Sequence, residues 1–311
     1  MQIQVSEKDK IKYIKSCFNY TGGKYKLLPQ IMPLIPKDIN TFWDIFCGGC
    51  NVGINVEANS VKFNDKIIQL IDLYKVLQNI DVNKAIFMIE EIIFKYSLSD
   101  TYNNTYDKYS CNSAKGLAEY NRNGYLRLRE DYNKMDTDKI TKNIMLYVLS
   151  IYGFNNQLRF NRKGEYNIPV GKRDFNEKVR KNFVDFVSKI KNENISFQNN
   201  DFRNINYDEI NSEDFVYADP PYLITTATYN EQGGWTEDDE RSLLCILDLL
   251  NQKKIKFALS NVLKSKGNTN TILLEWSKKY NVHKLNYTYN NASYQKKNKC
   301  NENIEVLITN Y

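Results

Sequence analysis

Two short apolar runs near the amino terminus most constrain what this chain can fold into. "TFWDIFCGG" (41–49) ends in glycines, and "VKFND" (61–65) ends in an Asn-Asp pair, as strands that stop at a sheet edge do. The residues between them, "CNVGINVEAN" (50–59), are enough for a helix that crosses back over the sheet. The pattern therefore predicts a β-α-β unit within an open α/β sheet, which binds ligands at the carboxyl ends of its strands.

The turn after the first run contains two cysteines and allows two interpretations. Cys47 and Cys50 form a C-x-x-C pair, typical of a redox dithiol or half of a zinc site, whereas Gly48, Gly49 and Gly53 indicate a loop where a nucleotide approaches the backbone. The other four cysteines include no second pair at zinc-site spacing, and the sequence has no histidine pair. We therefore favour the nucleotide loop, and we expect neither a metal site nor a disulfide.

Composition limits the class of protein. The chain has 311 residues, 42% of them hydrophobic, which is sufficient for a core in one large or two small domains. Neither a signal peptide nor a run of about 18 apolar residues is present, so we expect a cytoplasmic protein without a membrane segment. The net charge of +6 is compatible with a polyanionic partner. His283 is the single histidine and lies in a short alternating stretch where a surface or structural role is favoured, so we do not expect Ser-His-Asp, Cys-His or two-histidine metal chemistry.

The remaining pattern divides the chain into three parts. Residues 66–153 carry apolar side chains at three- and four-residue spacings, which predicts a mainly helical block. "RFNRKGEYNIPVGKRDF" (159–175) alternates on both sides of the turn-like 162–164, which predicts a β-hairpin with basic residues at and beyond its ends. A helix near 175–191 then returns the chain to strand-type sequence. We expect an α/β sheet interrupted by a helical insertion, with parts at 1–65, 66–174 and 175–311.

The segment with the most specific chemistry is "DFVYADPPYL" (214–223). A buried strand delivers Asp219 to a sheet edge, and two prolines stiffen the turn that follows, remove backbone donors and leave carbonyls free. Tyr222 adds a flat ring. A carboxylate, a free carbonyl and a ring within four residues suit a flat ligand with an exocyclic amine, such as a nucleobase. The simpler alternative is a rigid turn after a strand.

Amine chemistry explains why these residue types are needed together. The lone pair of an aryl amine is delocalised and becomes nucleophilic only as the nitrogen moves toward tetrahedral geometry. Hydrogen bonds accepted by Asp219 Oδ and the Pro220 carbonyl would favour that geometry and stabilise the positive charge that develops during attack. Tyr222 would stack on a base flipped out of its duplex. The catalytic candidates are Asp219, Pro220, Pro221 and Tyr222.

Four segments in order resemble the Dam-type DNA adenine-N6 methyltransferases, the D12 class with α-group motif order. "FNYTGGKYKLLPQI" (18–31) resembles the amino-terminal cofactor motif, and "DIFCGGCNVG" (44–53) resembles the F-x-G-x-G loop. "NNQLRFNRKGEYNIPVGK" (155–172) resembles the DNA-reading hairpin, and "DPPY" (219–222) the catalytic motif. The resemblance covers nearly the whole chain. It implies a Rossmann-like methyltransferase sheet with an inserted, mainly helical target-recognition domain and a β-hairpin.

The resemblance also implies S-adenosylmethionine as the cofactor. The glycine loop would wrap its methionine portion, and Asp201 with Phe202 would hold its adenine portion. Asp65 would accept hydrogen bonds from its ribose hydroxyls, and a carboxylate after the second strand is where a ribose diol is commonly bound. The implied cofactor-binding residues are Tyr20, Gly22, Gly23, Lys24, Phe46, Gly48, Gly49, Asp65, Asp201 and Phe202. Asp65 is alternatively an acid at a helix amino terminus, and Asp201 a loop or capping residue.

The glycine loop departs from the family pattern at one position. Cys50 stands where F-x-G-x-G has its last glycine. We therefore expect either that the backbone at Cys50 avoids positive φ or that Gly49 assumes that conformation.

Residues 155–173 combine basic side chains with amides and aromatic rings, which suits DNA but equally suits a solvated basic hairpin. Arginine can make bidentate contact with guanine and asparagine with adenine in the major groove, while lysine suits phosphates. By resemblance Arg159 is the guanine reader, and Gln157 stands where GATC-specific relatives often have an apolar residue. We expect a short site containing adenine and guanine, with GATC and CATG-like sites both open. The expected DNA-binding residues are Asn155, Gln157, Arg159, Asn161, Lys172 and Arg173.

Three further features are candidates for contact with DNA. Phe154, Tyr166 and Tyr152 would fill the space of an extruded base or belong to the hairpin core. "TTATYNEQGGW" (225–235) has the composition of a mobile loop that closes over the target, or of a plain connection. "YQKKNKCNEN" (294–303) is expected to be a surface turn near phosphate.

The sequence thus predicts an enzyme that methylates adenine N6 in a short double-stranded DNA site with base flipping. We expect a monomer, linked functionally but not physically to a cognate restriction endonuclease if it has one. Two alternatives stay open: the same cofactor used on another amine (cytosine N4, RNA or a protein amide), and a non-enzymatic DNA-binding regulator on the same fold.

Overall fold

The computed structural model describes residues 12–112, 114–134, 136–225, 234–286 and 303–311. In this part of the chain a central, mostly parallel sheet carries helices on both faces, which is a mixed α/β fold. The strands are β1 (Thr41–Asp44), β2 (Ser60–Asn64), β3 (Ile195–Gln198), β4 (Phe215–Ala218), β5 (Lys256–Ser265), β6 (Asn268–Thr269), β7 (Asn281–Leu285) and β8 (Ile304–Thr309).

The strands are arranged in the order β3-β2-β1-β4-β5-β8-β7, and the short β6 pairs with β5. β1 to β5 pair in parallel, with Phe42 of β1 opposite Val61 of β2 and Phe215 of β4. β8 runs antiparallel between β5 and β7. The predicted parallel pairing of β1 and β2 is confirmed, and so the carboxyl ends of β1 to β4 meet at one edge.

The helices follow the predicted apolar periodicity closely. Side chains cap several of them: Asp81 accepts from Asn83 N and Lys84 N ahead of α3, and Thr236 forms a capping box ahead of α7. The helices are α1 (Leu28–Ile31), α2 (Ile68–Asn79), α3 (Val82–Lys95), α4 (Ala118–Lys134), α5 (Lys139–Tyr152), α6 (Glu177–Ile190), α7 (Glu237–Gln252) and α8 (Thr271–Trp276). The mainly helical character of 66–153 and the helix predicted near 175–191 are confirmed.

Two hydrophobic clusters lie on opposite faces of the sheet. Successive strand residues point to opposite faces, so Phe42 joins the cluster that includes α2, α5 and α6, while Trp43 joins the cluster that includes α7 and α8. α5 is buried along its last ten residues and packs against α2, α3 and α4. Because both faces are covered, the central strands β1 and β4 are buried along their whole length.

The helix expected over 50–59 is absent, and this prediction was wrong. The connection contains only one 3₁₀ turn, Gly53–Asn55. Asn55 Oδ1 accepts from Ile14 N (2.7 Å) and Asn55 Nδ2 donates to Ile14 O (2.8 Å), while Asn51 Oδ1 accepts from Ser16 N (3.2 Å). Contacts with the segment before α1 therefore hold these residues, whose glycines and asparagines favour helix only weakly.

The expected β-hairpin is present only as a doubled-back chain. Two isolated antiparallel bridges, Gly153 to Val170 and Phe160 to Tyr166, join its arms. Side chains of α4 occupy the backbone groups that a ladder would use. Asn133 bonds both N and O of Tyr166, and Tyr125 with Arg129 donates to the Ile168 carbonyl. Regular strands do not form here, because those backbone groups are already satisfied.

Parts of two sequence predictions lie outside the described residues. These are most of the polar loop of 225–235 and the lysine-rich turn of 294–303, apart from Asn303. Within the described residues, no helix combines the length and the hydropathy needed to span a bilayer.

Candidate active site

A cavity of about 1220 Å³ opens at the carboxyl ends of β1, β2, β3 and β4. This edge is where ligands of open parallel sheets bind. The cavity brings together all of the predicted cofactor and catalytic residues and two of the predicted DNA residues. Its lining includes Tyr20, Gly22, Gly23, Lys24, Phe46, Gly48, Gly49, Asp65, Arg159, Asn161, Asp201, Phe202, Asp219, Pro220, Pro221 and Tyr222.

The glycine loop after β1 is held by a carboxylate that follows β2 and by a side chain of α2. Gly48 N donates to Asp65 Oδ2 (3.0 Å), and Tyr74 of α2 donates its hydroxyl to Gly48 O (2.6 Å). Gly48 has a φ of 44°, and a Cβ there would lie 2.8 Å from Cε1 of Tyr20. Glycine is therefore required by the left-handed backbone and by the close approach of the Tyr20 ring.

Both expectations for the end of this loop were wrong. The φ of Cys50 is 58°, so Cys50 itself adopts the left-handed conformation and Gly49 does not replace it. Such a conformation costs a non-glycine residue about 1–2 kcal/mol. Cys47 and Cys50 are buried free thiols, and burial raises the pKa of both. A raised pKa disfavours the reactive thiolate. Among the described residues no cluster of three metal-ligating side chains occurs.

Asp219 lies at the centre of a buried charge cluster. Lys24 Nζ donates to Asp219 Oδ2 (2.8 Å), and the Tyr222 hydroxyl donates to Asp219 Oδ1 (3.0 Å). Burial raises the pKa of Asp219, and the Lys24 ammonium opposes that rise. Lys24 was expected beside the cofactor, but its buried ammonium lies on the catalytic candidate and on the Gly22 carbonyl (2.8 Å).

Two carboxylates in the cavity were missed by sequence reasoning. Asp44 ends β1, and burial, followed by the charges of Asp219 and Asp65, raises its pKa well above the usual range. Its Oδ1 has no hydrogen-bond partner among the described residues. Glu305 lies in β8 with Oε1 3.8 Å from Lys24 Nζ. Both carried a sequence signal, an acid within an otherwise apolar strand.

The adenine-binding candidates lie in an aromatic part of the cavity. The Phe202 ring lies 5.3 Å from Phe46 and 5.5 Å from Trp235, which sequence reasoning also missed. Asp201 takes the alternative, capping role. It accepts from Arg203 N (3.0 Å), and the Arg203 guanidinium donates to both of its oxygens (2.8 Å each). These hydrogen bonds lower the pKa of Asp201.

Asp65 uses both oxygens on backbone groups. Oδ2 accepts from Gly48 N, and Oδ1 accepts from Ile67 N (2.9 Å) just before α2. Asp65 therefore also has part of its alternative role, an acid at a helix amino terminus, because Ile67 directly precedes α2. A carboxylate has about four lone-pair positions, so two remain for a ligand in the cavity.

The predicted DNA-binding residues divide into two groups. Arg159 and Asn161 line the cavity, and Arg159 Nε donates to Asn167 Oδ1 (2.8 Å). The others lie outside the cavity lining: Asn155, Gln157, Lys172 and Arg173.

The three aromatic residues expected to fill the space of an extruded base also differ in burial. Tyr152 and Tyr166 are buried, with their hydroxyls donating to Ser99 O (2.5 Å) and Gln157 O (3.0 Å), which is a core role. Phe154 is half exposed. Of the three, Phe154 is therefore the ring that an incoming base could contact without a change in the core.

Comparisons with known proteins agree with this geometry. Residues 20–291 match the sequence model of the D12 class N6 adenine-specific DNA methyltransferases. The chain is 42% identical over 308 residues to the modification methylase StsI of Streptococcus sanguinis, covering 96% of this chain and 43% of that protein. It is 40% identical over 316 residues to the type II methyltransferase M.FokI of Planomicrobium okeanokoites, covering 100% of this chain and 45% of that protein.

A third relative matches over nearly its whole length. The type II methyltransferase M1.LlaDCHI of Lactococcus lactis subsp. cremoris is 26% identical over 315 residues, covering 98% of each chain. This chain thus spans less than half the length of StsI and M.FokI. Because the family match includes the glycine loop, Asp219 and the helical block between them, the chain belongs to the D12 class N6 adenine-specific DNA methyltransferases.

Proposed function

We propose that this chain transfers the methyl group of S-adenosylmethionine to N6 of adenine in a short double-stranded DNA site, with base flipping. The observation that carries the proposal is one continuous cavity lined by the glycine loop, by Asp219 and by Arg159. A volume of about 1220 Å³ exceeds the upper range for one drug-sized ligand, about 1,000 Å³. It therefore has room for a cofactor and an extruded base together.

The lining also fits the chemistry of S-adenosylmethionine. That molecule carries an ammonium and a sulfonium, and the unpartnered Oδ1 of buried Asp44 is an acceptor for positive charge. Gly48 lets the Tyr20 ring approach the loop more closely than a Cβ would allow. We assign the methionine portion to this loop, the ribose to Asp65, and the adenine portion to the rings of Phe46, Phe202 and Trp235. Asp201 lies beside that adenine position.

The chain's own groups then position the target amine. The cofactor supplies a methyl carbon on an activated sulfur. Asp219 Oδ and the Pro220 carbonyl accept hydrogen bonds from N6, and the Tyr222 ring stacks on the base. Transfer would exchange the S–C bond of the cofactor for an N–C bond at N6, and the proton that N6 loses would pass to solvent. Burial of Asp219 strengthens each of these interactions, because the surrounding dielectric is low.

We assign separate roles to the three parts of the chain. Residues 1–65 and 175–311 would form the catalytic part, and 66–174 would recognise the target. The supporting observation is that the block from α2 to α5 interrupts the sheet between β2 and β3, while Arg159 beyond it reaches the cavity. StsI and LlaI are named modification methylases, and M.FokI a type II methyltransferase. By analogy, we propose that this chain acts as a monomer and protects DNA from a matching endonuclease without binding it.

Product identification tests the proposal. Unmethylated plasmid is incubated with the protein and S-adenosylmethionine carrying a labelled methyl group, and the digested nucleosides are separated by mass spectrometry. We expect label in N6-methyladenine, and single-molecule sequencing of the same plasmid gives the site. Label in N4-methylcytosine, or in RNA but not DNA, would establish the alternative acceptors. Cofactor binding without any transfer would favour a DNA-binding regulator.

Replacement of Asp44 by asparagine separates cofactor binding from stability. We expect the affinity for S-adenosylmethionine, measured by calorimetry, to fall by about 10- to 100-fold, because a charge-assisted contact is lost. Folding raises the pKa of Asp44, so its ionised form is disfavoured in the fold. That penalty is complete above the raised pKa and is relieved as pH falls from there toward the ordinary aspartate pKa. The unfolding free energy at neutral pH should therefore stay constant or rise.

The matched control is Asp214→Asn. Asp214 is a buried carboxylate just before β4, and its Oδ1 accepts from Thr41 N (3.0 Å). Its substitution is expected to lower stability and to leave cofactor affinity unchanged. Equal cofactor affinity in Asp44→Asn and the unmodified protein would rule out our assignment of Asp44.

A further inference from the structure

Two neighbouring side chains bind Asp219. Lys24 Nζ lies 2.8 Å from each of its oxygens, and the Tyr222 hydroxyl donates to Oδ1 at 3.0 Å. An ammonium at this distance withdraws negative charge from the carboxylate and occupies its best acceptor positions. The proposed reaction needs one acceptor position of Asp219 for an N6 hydrogen, while the Pro220 carbonyl accepts the other. A shift of Lys24 away from Asp219 would restore the acceptor strength of that carboxylate as the base enters.

A second acceptor for Lys24 is built into the same cluster. Glu305 Oε1 lies 3.8 Å from Lys24 Nζ, and the Glu305 side chain is 6% exposed. Within the part of the chain that the structure describes, Glu305 Oε2 has no hydrogen-bond partner. A buried carboxylate with an unused oxygen is unfavourable for folding alone. The position of Glu305 beside Lys24 offers a functional explanation for this unfavourable burial.

We propose that Glu305 is a positioning residue that accepts the Lys24 ammonium as the target amine approaches Asp219. This inference rests on the proposed function. The Lys24 ammonium needs to move only about 1 Å toward Glu305 to reach ordinary hydrogen-bond distance. Its contact with the Gly22 carbonyl (2.8 Å) can act as a pivot. In this arrangement Glu305 acts on the target amine through Lys24.

The charged and titratable groups that face Glu305 come from three elements. They are Lys24 near the amino terminus, Tyr217 of β4, and Asp219 with Tyr222 just after it. Burial, followed by the charge of Asp219, raises the pKa of Glu305, while Lys24 opposes the rise. On acidification, Glu305 therefore takes up a proton at a higher pH than an ordinary glutamate. A protonated Glu305 holds the ammonium poorly, and methyl transfer should fall over the same pH range.

The test is the rate of a single turnover in Glu305→Gln as a function of pH. Glutamine keeps the size and one acceptor oxygen but not the charge. We expect the plateau rate to fall on the order of tenfold, the loss of about one charge-assisted hydrogen bond. We expect unchanged affinities for DNA and for S-adenosylmethionine. The acid limb of the profile should move to lower pH, because the Glu305 carboxyl, whose pKa burial raises, is gone.

Two further variants distinguish a positioning role of Glu305 from a purely structural one. In Lys24→Met no ammonium needs a second acceptor, so adding Glu305→Gln should not slow transfer further. Glu305→Asp keeps the charge on a shorter side chain and should keep the acid limb with a smaller loss of rate. It also serves as the test if Glu305→Gln does not fold. Asp214→Asn, a buried carboxylate remote from Lys24, should leave the acid limb in place.

The outcomes distinguish this inference from the proposed function. If the unmodified protein does not methylate adenine, the proposed function fails first. If it does, an unchanged rate and acid limb in Glu305→Gln would overturn the role of Glu305. Additive losses in the Lys24→Met and Glu305→Gln double variant would also overturn it, because Glu305 would then act independently of Lys24.

Discussion

Replacement of Asp219 by alanine is expected to slow methyl transfer on the order of 10²–10³-fold while DNA binding is retained. The reason is that Asp219 supplies the acceptor that favours a tetrahedral N6 and stabilises its developing charge, an interaction made mainly in the transition state. The substitution also leaves the buried Lys24 ammonium without its closest carboxylate partner. Single-turnover transfer of labelled methyl, together with a gel-shift titration of DNA, measures both effects.

The control for this prediction is Asp208→Ala. Asp208 is an exposed aspartate whose nearest cation is Lys253 (2.7 Å), and it lies outside the cavity lining. Its loss is expected to leave both the rate and the binding curve unchanged. Transfer at the normal rate by Asp219→Ala would remove Asp219 from the mechanism. Loss of DNA binding in parallel with transfer would instead give it a structural role.

Replacement of Gly124 by alanine should destabilise the helical block, although alanine is the better helix former. Propensity alone favours alanine by about 1 kcal/mol. A Cβ at Gly124, however, would lie far inside van der Waals distance of the Tyr96 carbonyl oxygen. That oxygen belongs to backbone, so α4 would have to shift away, and overpacking costs about 1–3 kcal/mol or more. We expect the unfolding free energy in urea to fall by about 2 kcal/mol.

Asn123→Ala is the matched control on the same turn of α4. Asn123 is exposed, so alanine there should bring only the gain in helix propensity, about 0.5 kcal/mol. Opposite signs for the two substitutions would show that close packing, and not propensity, decides the effect at Gly124. A stabilising Gly124→Ala would mean that the backbone of α4 can move at little cost.

The elements of the fold were readable from sequence where one short pattern determines them. The spacing of apolar residues predicted α2 to α6, and short apolar runs ending in Asp65 and Asp219 placed both carboxylates at one sheet edge. Parallel strands require this arrangement, since their carboxyl ends lie together. The cofactor and catalytic candidates could therefore be grouped before any coordinates were known.

What could not be predicted depends on distant contacts. Lys24 and Asp219 are 195 residues apart in sequence, and no local pattern reports their ion pair. The left-handed backbone of Cys50 results from the tertiary contacts of its loop, against the preference of the residue itself. The hairpin lacks regular strands because α4 side chains, including Asn133, bond its backbone. In each case a tertiary contact overrides a local preference.

The position of β8 has a consequence for how the molecule folds. This strand pairs with β5 on one side and β7 on the other, although both precede it in the chain. β7 therefore cannot join the sheet until residues 304–309 have been synthesised. Pairings between remote segments raise the contact order and slow folding. During synthesis, the Glu305 carboxylate can reach Lys24 only after residues 304–309 are made, so the charge cluster is completed after all five parallel strands have been synthesised.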